Sequence, residues 1–64
     1  MKSSELHRLI KRNGWIAVHQ KGSHIIYEKE GHEAISVPFH GSKEVGKGIE
    51  LKFKKEMELN SLYP

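Results

Sequence analysis

Three short runs of β-favouring residues stand close together in the middle of the chain. The brevity of their connections constrains the fold more than any other feature. Residues 15–20 (WIAVHQ), 23–29 (SHIIYEK) and 34–39 (AISVPF) are rich in β-branched and aromatic types. Only Lys21-Gly22 separates the first two runs, and residues 30–33 (EGHE) separate the second from the third. Connections that short make consecutive strands antiparallel neighbours, with Gly22 free to take the positive φ of a tight turn. Pro38 has no N–H to give to a ladder, so it belongs at a strand's end or on an edge.

Helical patterns flank the three runs. Over residues 4–13 (SELHRLIKRN), Leu6, Leu9 and Ile10 fall on one face, with Asn13 next in the same spacing. Ser3 or Ser4 can cap the start, Glu5 suits the positive end of the helix dipole, Lys11 and Arg12 suit the other, and Gly14 is placed to close it. Residues 40–48 (HGSKEVGKG) read as a polar loop. A second helix follows over 49–60, where Ile49, Phe53 and Met57 recur every four residues and Leu51 and Leu59 are less well placed. The order is α-β-β-β-α. It predicts an α+β fold, a three-stranded antiparallel sheet with two helices on one face, in a single domain spanning 1–64. Such a sheet leaves a second face uncovered. Strand alternation puts Trp15 and Ala17 opposite Ile16 and Val18, and Ile26 opposite Ile25 and Tyr27, so that face keeps apolar groups suited to a partner.

Length sharpens this point, because a 64-residue chain builds only a marginal core. With no cysteine, disulfides and thiolate metal sites are excluded. No apolar run is long enough to span a bilayer, and the N-terminal MKSSELHRLIKR is too polar for a signal peptide, so a cytoplasmic protein with no membrane association is expected. Eleven Lys and Arg against eight Asp and Glu give +3, a mild excess compatible with a nucleic-acid partner and with many other soluble domains.

Chemistry-bearing residues gather at one end of the expected sheet. Five histidines are present. His7, on a charged helix, and His32, in a turn, read as solvated. His19 and His24 face each other if the first turn is Lys21-Gly22. No His pair has helical metal-ligand spacing and no cofactor is implied. The end of the third strand lies beside the start of the second, which brings His40 toward Lys21, Ser23 and His24. Lys21 offers charge, Gly22 close backbone approach, and Ser23 a hydroxyl and an N–H, a set suited to phosphate. His24 is either an idle hairpin histidine or a base or acid acting on a ribose hydroxyl. Neighbours on a strand point to opposite faces, so Ser23 and His24 are not a nucleophile–base pair. The 40–48 loop lacks the phosphate-loop pattern. With Lys43 and Lys47 it is either a connector or a basic grip on a nucleic-acid backbone.

Read in order, these pieces carry a resemblance: a helix ending in Asn13-Gly14-Trp15, then Lys21-Gly22-Ser23-His24, then Val37-Pro38-Phe39-His40-Gly41, then a lysine-containing loop to Gly48. The chain resembles a HicA-type toxin of a toxin–antitoxin pair over about residues 2–50. The resemblance implies a fold like that of a double-stranded-RNA-binding domain and a metal-independent endoribonuclease, an mRNA interferase. It also implies His24 as the catalytic histidine and neutralisation by a HicB-type antitoxin that covers the open sheet face, with oligomerisation through that complex. Lys21, Gly22, Ser23, His40, Lys43 and Lys47 are then the expected RNA contacts. The tail departs from the family pattern, with Phe53 in the second helix and no closing glycine. A non-catalytic RNA-binding module and a small interaction protein are the rival readings; the first needs the hairpin lysine, the second needs none of the hairpin.

Overall fold

The computed structural model describes residues 1–60. Its elements are α1 (Ser3–Arg12), β1 (Ile16–Lys21), β2 (His24–Glu28), β3 (Ile35–Pro38) and α2 (Lys47–Glu56). The sheet is antiparallel in the order β1-β2-β3, as the short turns require. Tyr27 and Val37 from the sheet, Leu6, Leu9 and Ile10 from α1, and Phe53 and Met57 at α2 form one core with Trp15 and Leu59. Both helices therefore lie on the same face of the sheet. Among the described residues, no helix is long and apolar enough to cross a membrane.

Both helices close by the same device. The Trp15 N–H reaches the Ile10 carbonyl (3.4 Å) and the Gly14 N–H reaches Lys11 (3.1 Å). At the end of α2 the Leu59 N–H reaches Lys54 (2.9 Å) and the Glu58 N–H reaches Lys55 (3.3 Å). Each is a Schellman closure with a left-handed residue in the middle, Gly14 at φ 93° and Glu58 at φ 51°. Each turns the next side chain, Trp15 or Leu59, into the core. The two ends are also tied together. The Trp15 indole N–H donates to the Met57 carbonyl (3.2 Å), while the Asn13 amide group accepts from the Asn60 N–H (2.9 Å) and donates to its carbonyl (3.1 Å).

Several expectations are corrected here. Lys2, not a serine, occupies the cap position of α1, and its backbone N–H donates to the Glu5 carboxylate at 2.9 Å. Ser3 and Ser4 direct their N–H groups to the carbonyls of Lys43 and Gly41 (2.8 and 2.9 Å), so the 40–45 segment is bolted to the start of α1. Trp15 precedes β1 instead of opening it. The tight turn is Gly22-Ser23, one residue later than expected, with Gly22 at φ 62°. That shift pairs His24 with Lys21, and a bulge at Val18 pairs His19 with Ile26, so His19 and His24 do not face each other. On α2 the buried stripe is Glu50, Phe53 and Met57, leaving Ile49 47% exposed. Residues spaced by four drift about 40° around a helix at each step, whereas the 50, 53, 57 set stays on one side. Glu50 is tolerated inside because the Lys54 ammonium (2.9 Å) and the Met1 amine (3.0 Å) meet its carboxyl and hold it down at about 2.

Candidate functional site

Alternation along β2 turns Ile25 and Tyr27 toward the helices and His24, Ile26 and Glu28 toward the open face. His24 is exposed there at the sheet's end, with Lys21 across from it on β1 and Pro38 across from it on β3. Its Nδ1 lies 3.3 Å from the Ser36 hydroxyl. Sequence reasoning passed over Ser36 as an ordinary strand residue. The signal was available in the register, since Ser36 is two residues from Pro38 and shares the His24 face.

The turn beside it is open. Nothing lies within 4 Å of where a Gly22 side chain would begin, so the backbone is approachable from solvent. The Gln20 side-chain amide donates to the Gly22 carbonyl (3.2 Å), and the Ser23 carbonyl accepts the Phe39 N–H (2.6 Å), fastening the turn to both neighbouring strands. Lys21 and Ser23 are exposed. Lys21, Gly22, Ser23 and His24 thus form one contiguous surface.

His40 and Lys43 lie past the end of β3. The His40 N–H donates to the buried Ser3 hydroxyl (3.0 Å), and the Lys43 N–H closes a turn onto the His40 carbonyl (3.2 Å) around Gly41 at φ 59°. This segment is therefore an ordered part of the sheet end. His40 is among the residues around a cavity of about 200 Å³ with Leu6, Val37, Ile49 and Phe53, on the helix-covered side. Lys47 opens α2 in the same layer, with its ammonium 3.9 Å from Glu50. The structure gathers Lys21, Gly22, Ser23 and His24 on the open face and sets His40 and Lys47 around the end of the sheet from them.

Of the two histidines expected to be solvated, His32 is exposed in its turn and His7 is not. The His32 ring packs 5.1 Å from Trp15 and its Nδ1 lies 3.8 Å from Glu58. His7 is not solvated at all but 4% exposed, a correction to the reading of α1 as a charged helix. Ser3, Leu6, His7 and Ile10 form the inward stripe at i, i+3, i+4, i+7, and counting only apolar types hides His7 from it. Burial pushes its imidazole below the ordinary value, against the opposing effect of its bond to Pro38.

Every residue of the edge strand β1 is exposed, including Ile16 at 66% and Val18 at 48%. Among the described residues no three His, Asp or Glu side chains cluster in a way that would hold a metal ion. The arrangement offers an accessible imidazole beside a lysine and an open glycine turn. That combination can exchange a proton next to a bound phosphate.

The family described as the HicA toxin of bacterial toxin–antitoxin matches the chain over residues 3–59. Among curated proteins, none matches it.

Proposed function

The chain belongs to the HicA toxin family, and from that premise we propose that it is an endoribonuclease toxin that cleaves mRNA with His24 as its proton-transfer residue. The observation that carries this reading is His24 itself: exposed on the uncovered face, paired with Lys21 and set beside the open Gly22-Ser23 turn. RNA supplies its own nucleophile. The ribose 2′-oxygen attacks the adjacent phosphorus, the bond to the 5′-oxygen breaks, and the products are a 2′,3′-cyclic phosphate and a 5′-hydroxyl. With Nδ1 turned to Ser36, the Nε2 of His24 exchanges a proton with the 2′-oxygen or the leaving 5′-oxygen, and water carries the other proton. Lys21 and the turn backbone face the charge that builds on the phosphate oxygens. His40, Lys43 and Lys47 extend the contact along the RNA around the end of the sheet. The chemistry is metal-independent, because two-metal hydrolysis needs clustered carboxylates and the strand carrying His24 offers only Glu28, four residues away.

The uncovered face, with Ile16 and Val18 exposed farther along the strand that carries Lys21, supports a neutralising partner of the HicB type that covers it and assembles with the toxin. The reading places the protein in the cytoplasm, where both mRNA and antitoxin are found.

End-group analysis of RNA fragments made in the presence of EDTA tests the mechanism. Cyclic phosphate and 5′-hydroxyl ends are expected, and a 2′-deoxy substitution at the scissile position blocks cleavage. A 5′-phosphate product, or activity that returns only with Mg²⁺, refutes the mechanism. His24→Ala is expected to lower cleavage about 10²–10⁴-fold. Because His24 is exposed and loosely bonded, that variant keeps its circular dichroism spectrum. Full cleavage by folded His24→Ala, with RNA still bound, would instead favour a different proton-transfer group.

A further inference from the structure

His7 takes no part in that chemistry, yet both of its ring nitrogens are engaged. Nε2 lies 2.9 Å from the Pro38 carbonyl oxygen and Nδ1 lies 2.6 Å from the Tyr27 hydroxyl. A carbonyl oxygen only accepts, so Nε2 carries the proton of the neutral ring. Nδ1 is then an acceptor, and the tyrosine hydroxyl donates to it. Burial disfavours the charged ring, which leaves a single neutral tautomer.

The backbone this ring holds lies across from the hairpin. Pro38 is the pairing partner of His24. Phe39, whose N–H donates to the Ser23 carbonyl, stands edge-on to the His7 ring at 5.0 Å between centroids. Phe39 gives its N–H to Ser23, so the neighbouring Pro38–His24 pair is a non-bonded one: proline costs the ladder nothing there, and the Pro38 carbonyl points away from β2. His7 ties the same residue from the helix layer. A leucine at position 7 would fill the space and leave the Pro38 carbonyl without its donor.

We propose that His7 is a positioning residue for His24: its Nε2–H bond to the Pro38 carbonyl fixes the end of β3 against which the Ser23–His24 segment is registered, and so sets where the His24 ring stands against bound RNA. The inference rests on His24 being the proton-transfer residue. Displacements of about 1 Å at a reacting group can cost on the order of 10²-fold in rate. A lost tie would therefore act on turnover more than on binding.

Three variants and one spectrum test it. His7→Phe keeps a ring and removes both hydrogen bonds. It is expected to lower kcat on a short RNA by about 10–100-fold while KM changes little. His7→Gln restores an N–H donor toward Pro38 and is expected to recover most of the loss. Tyr27→Phe leaves the Pro38 bond in place and is expected to stay near wild type. Nitrogen-15 spectra of the imidazole rings in the wild-type protein are expected to show His7 protonated at Nε2 alone, and the His24 ring signals are expected to shift in His7→Phe and return in His7→Gln. Wild-type kcat in folded His7→Phe, or no recovery in His7→Gln, overturns the proposal. So does a wild-type His7 protonated at Nδ1, whatever the variants do. If the wild-type protein does not cleave RNA, the functional reading fails, while the His24 signals still report whether His7 positions that ring.

Discussion

At the scale of single residues, the same side-chain type takes opposite roles according to its depth. His24 is exposed, as its proposed role with substrate requires, whereas His7 is buried between Tyr27 and Pro38. The difference has a consequence for pH. The folded-state pKa of His7 lies below the ordinary 6.5, so the unfolded chain takes up its proton first as pH falls. The contribution of His7 to stability is complete above pH 6.5 and declines as pH drops toward and through the lower folded value. The titratable groups near it are the Tyr27 phenol from β2 and Lys11 on its own helix; Lys11 adds to the lowering. Urea midpoints are expected to fall between pH 7 and pH 5 in the wild type and to stay level over that interval in His7→Gln. Glu50 does not confuse the comparison, because its lowered carboxyl protects stability above 4.5 and gives it up only toward about 2. The exposed place of His24 at the hairpin was legible in the sequence because a tight turn announces itself locally. His7 was not, because its partners are 20 and 31 residues away and nothing nearby reveals them.

At the scale of elements, the strands could be read from their β-favouring runs and their order from turn length, but helix ends and turn register could not. Lys21-Gly22 and Gly22-Ser23 both place Gly22 where positive φ is needed, so composition does not choose between them; the observed turn leaves only Gly22 at positive φ. The missing glycine in the tail has a structural counterpart at the end of α2. Glu58 sits at φ 51° in the position that Gly14 fills at the end of α1. The left-handed conformation costs a side-chain-bearing residue about 1–2 kcal/mol, part of which glycine returns through its freer unfolded chain. Glu58→Gly is therefore expected to stabilise the protein by about 0.5–1 kcal/mol, raising Tm by several degrees in a domain this small. Loss of the 3.8 Å contact with His32 subtracts little, since Glu58 is exposed. An unchanged or lowered Tm would show that the closure of α2 is not strained. Trp15 is the opposite case. It is 2% exposed and bonded to Met57, and Trp15→Ala is expected to cost about 3–5 kcal/mol. A core of this size supplies only about that much in total, so the variant should be unfolded by circular dichroism at 25 °C.

Taken as a whole, the molecule separates its two faces by task. Both helices pack on one face of the sheet, over β2 and β3, and the segment past β3 is bolted to the start of α1, so the hairpin end is backed by an ordered layer. The other face presents His24 and Lys21 together with apolar Ile16 and Val18. On the proposed function, the net charge of +3 is too small to localise RNA by itself, which leaves that task to the distribution of lysines. Lys21 stands on the open face, Lys43 in the turn past β3, and Lys47 at the start of α2 in the helix layer. An RNA that meets all three must pass around the end of the sheet. Each phosphate neutralised in single-stranded RNA steepens the dependence of log affinity on log salt by about 0.7. Replacing Lys21, Lys43 and Lys47 singly by Gln is expected to flatten the slope by about that amount each, with the three losses adding in the triple variant. The 3.9 Å approach of Lys47 to Glu50 does not remove it from this set, because Glu50 is already met by Lys54 at 2.9 Å and Lys47 is largely exposed. A slope flattened by Lys21→Gln but untouched by Lys47→Gln would confine the RNA to the open face and rule out the path around the sheet end. A slope unchanged by Lys21→Gln would move the RNA away from His24 altogether and take the proposed chemistry with it.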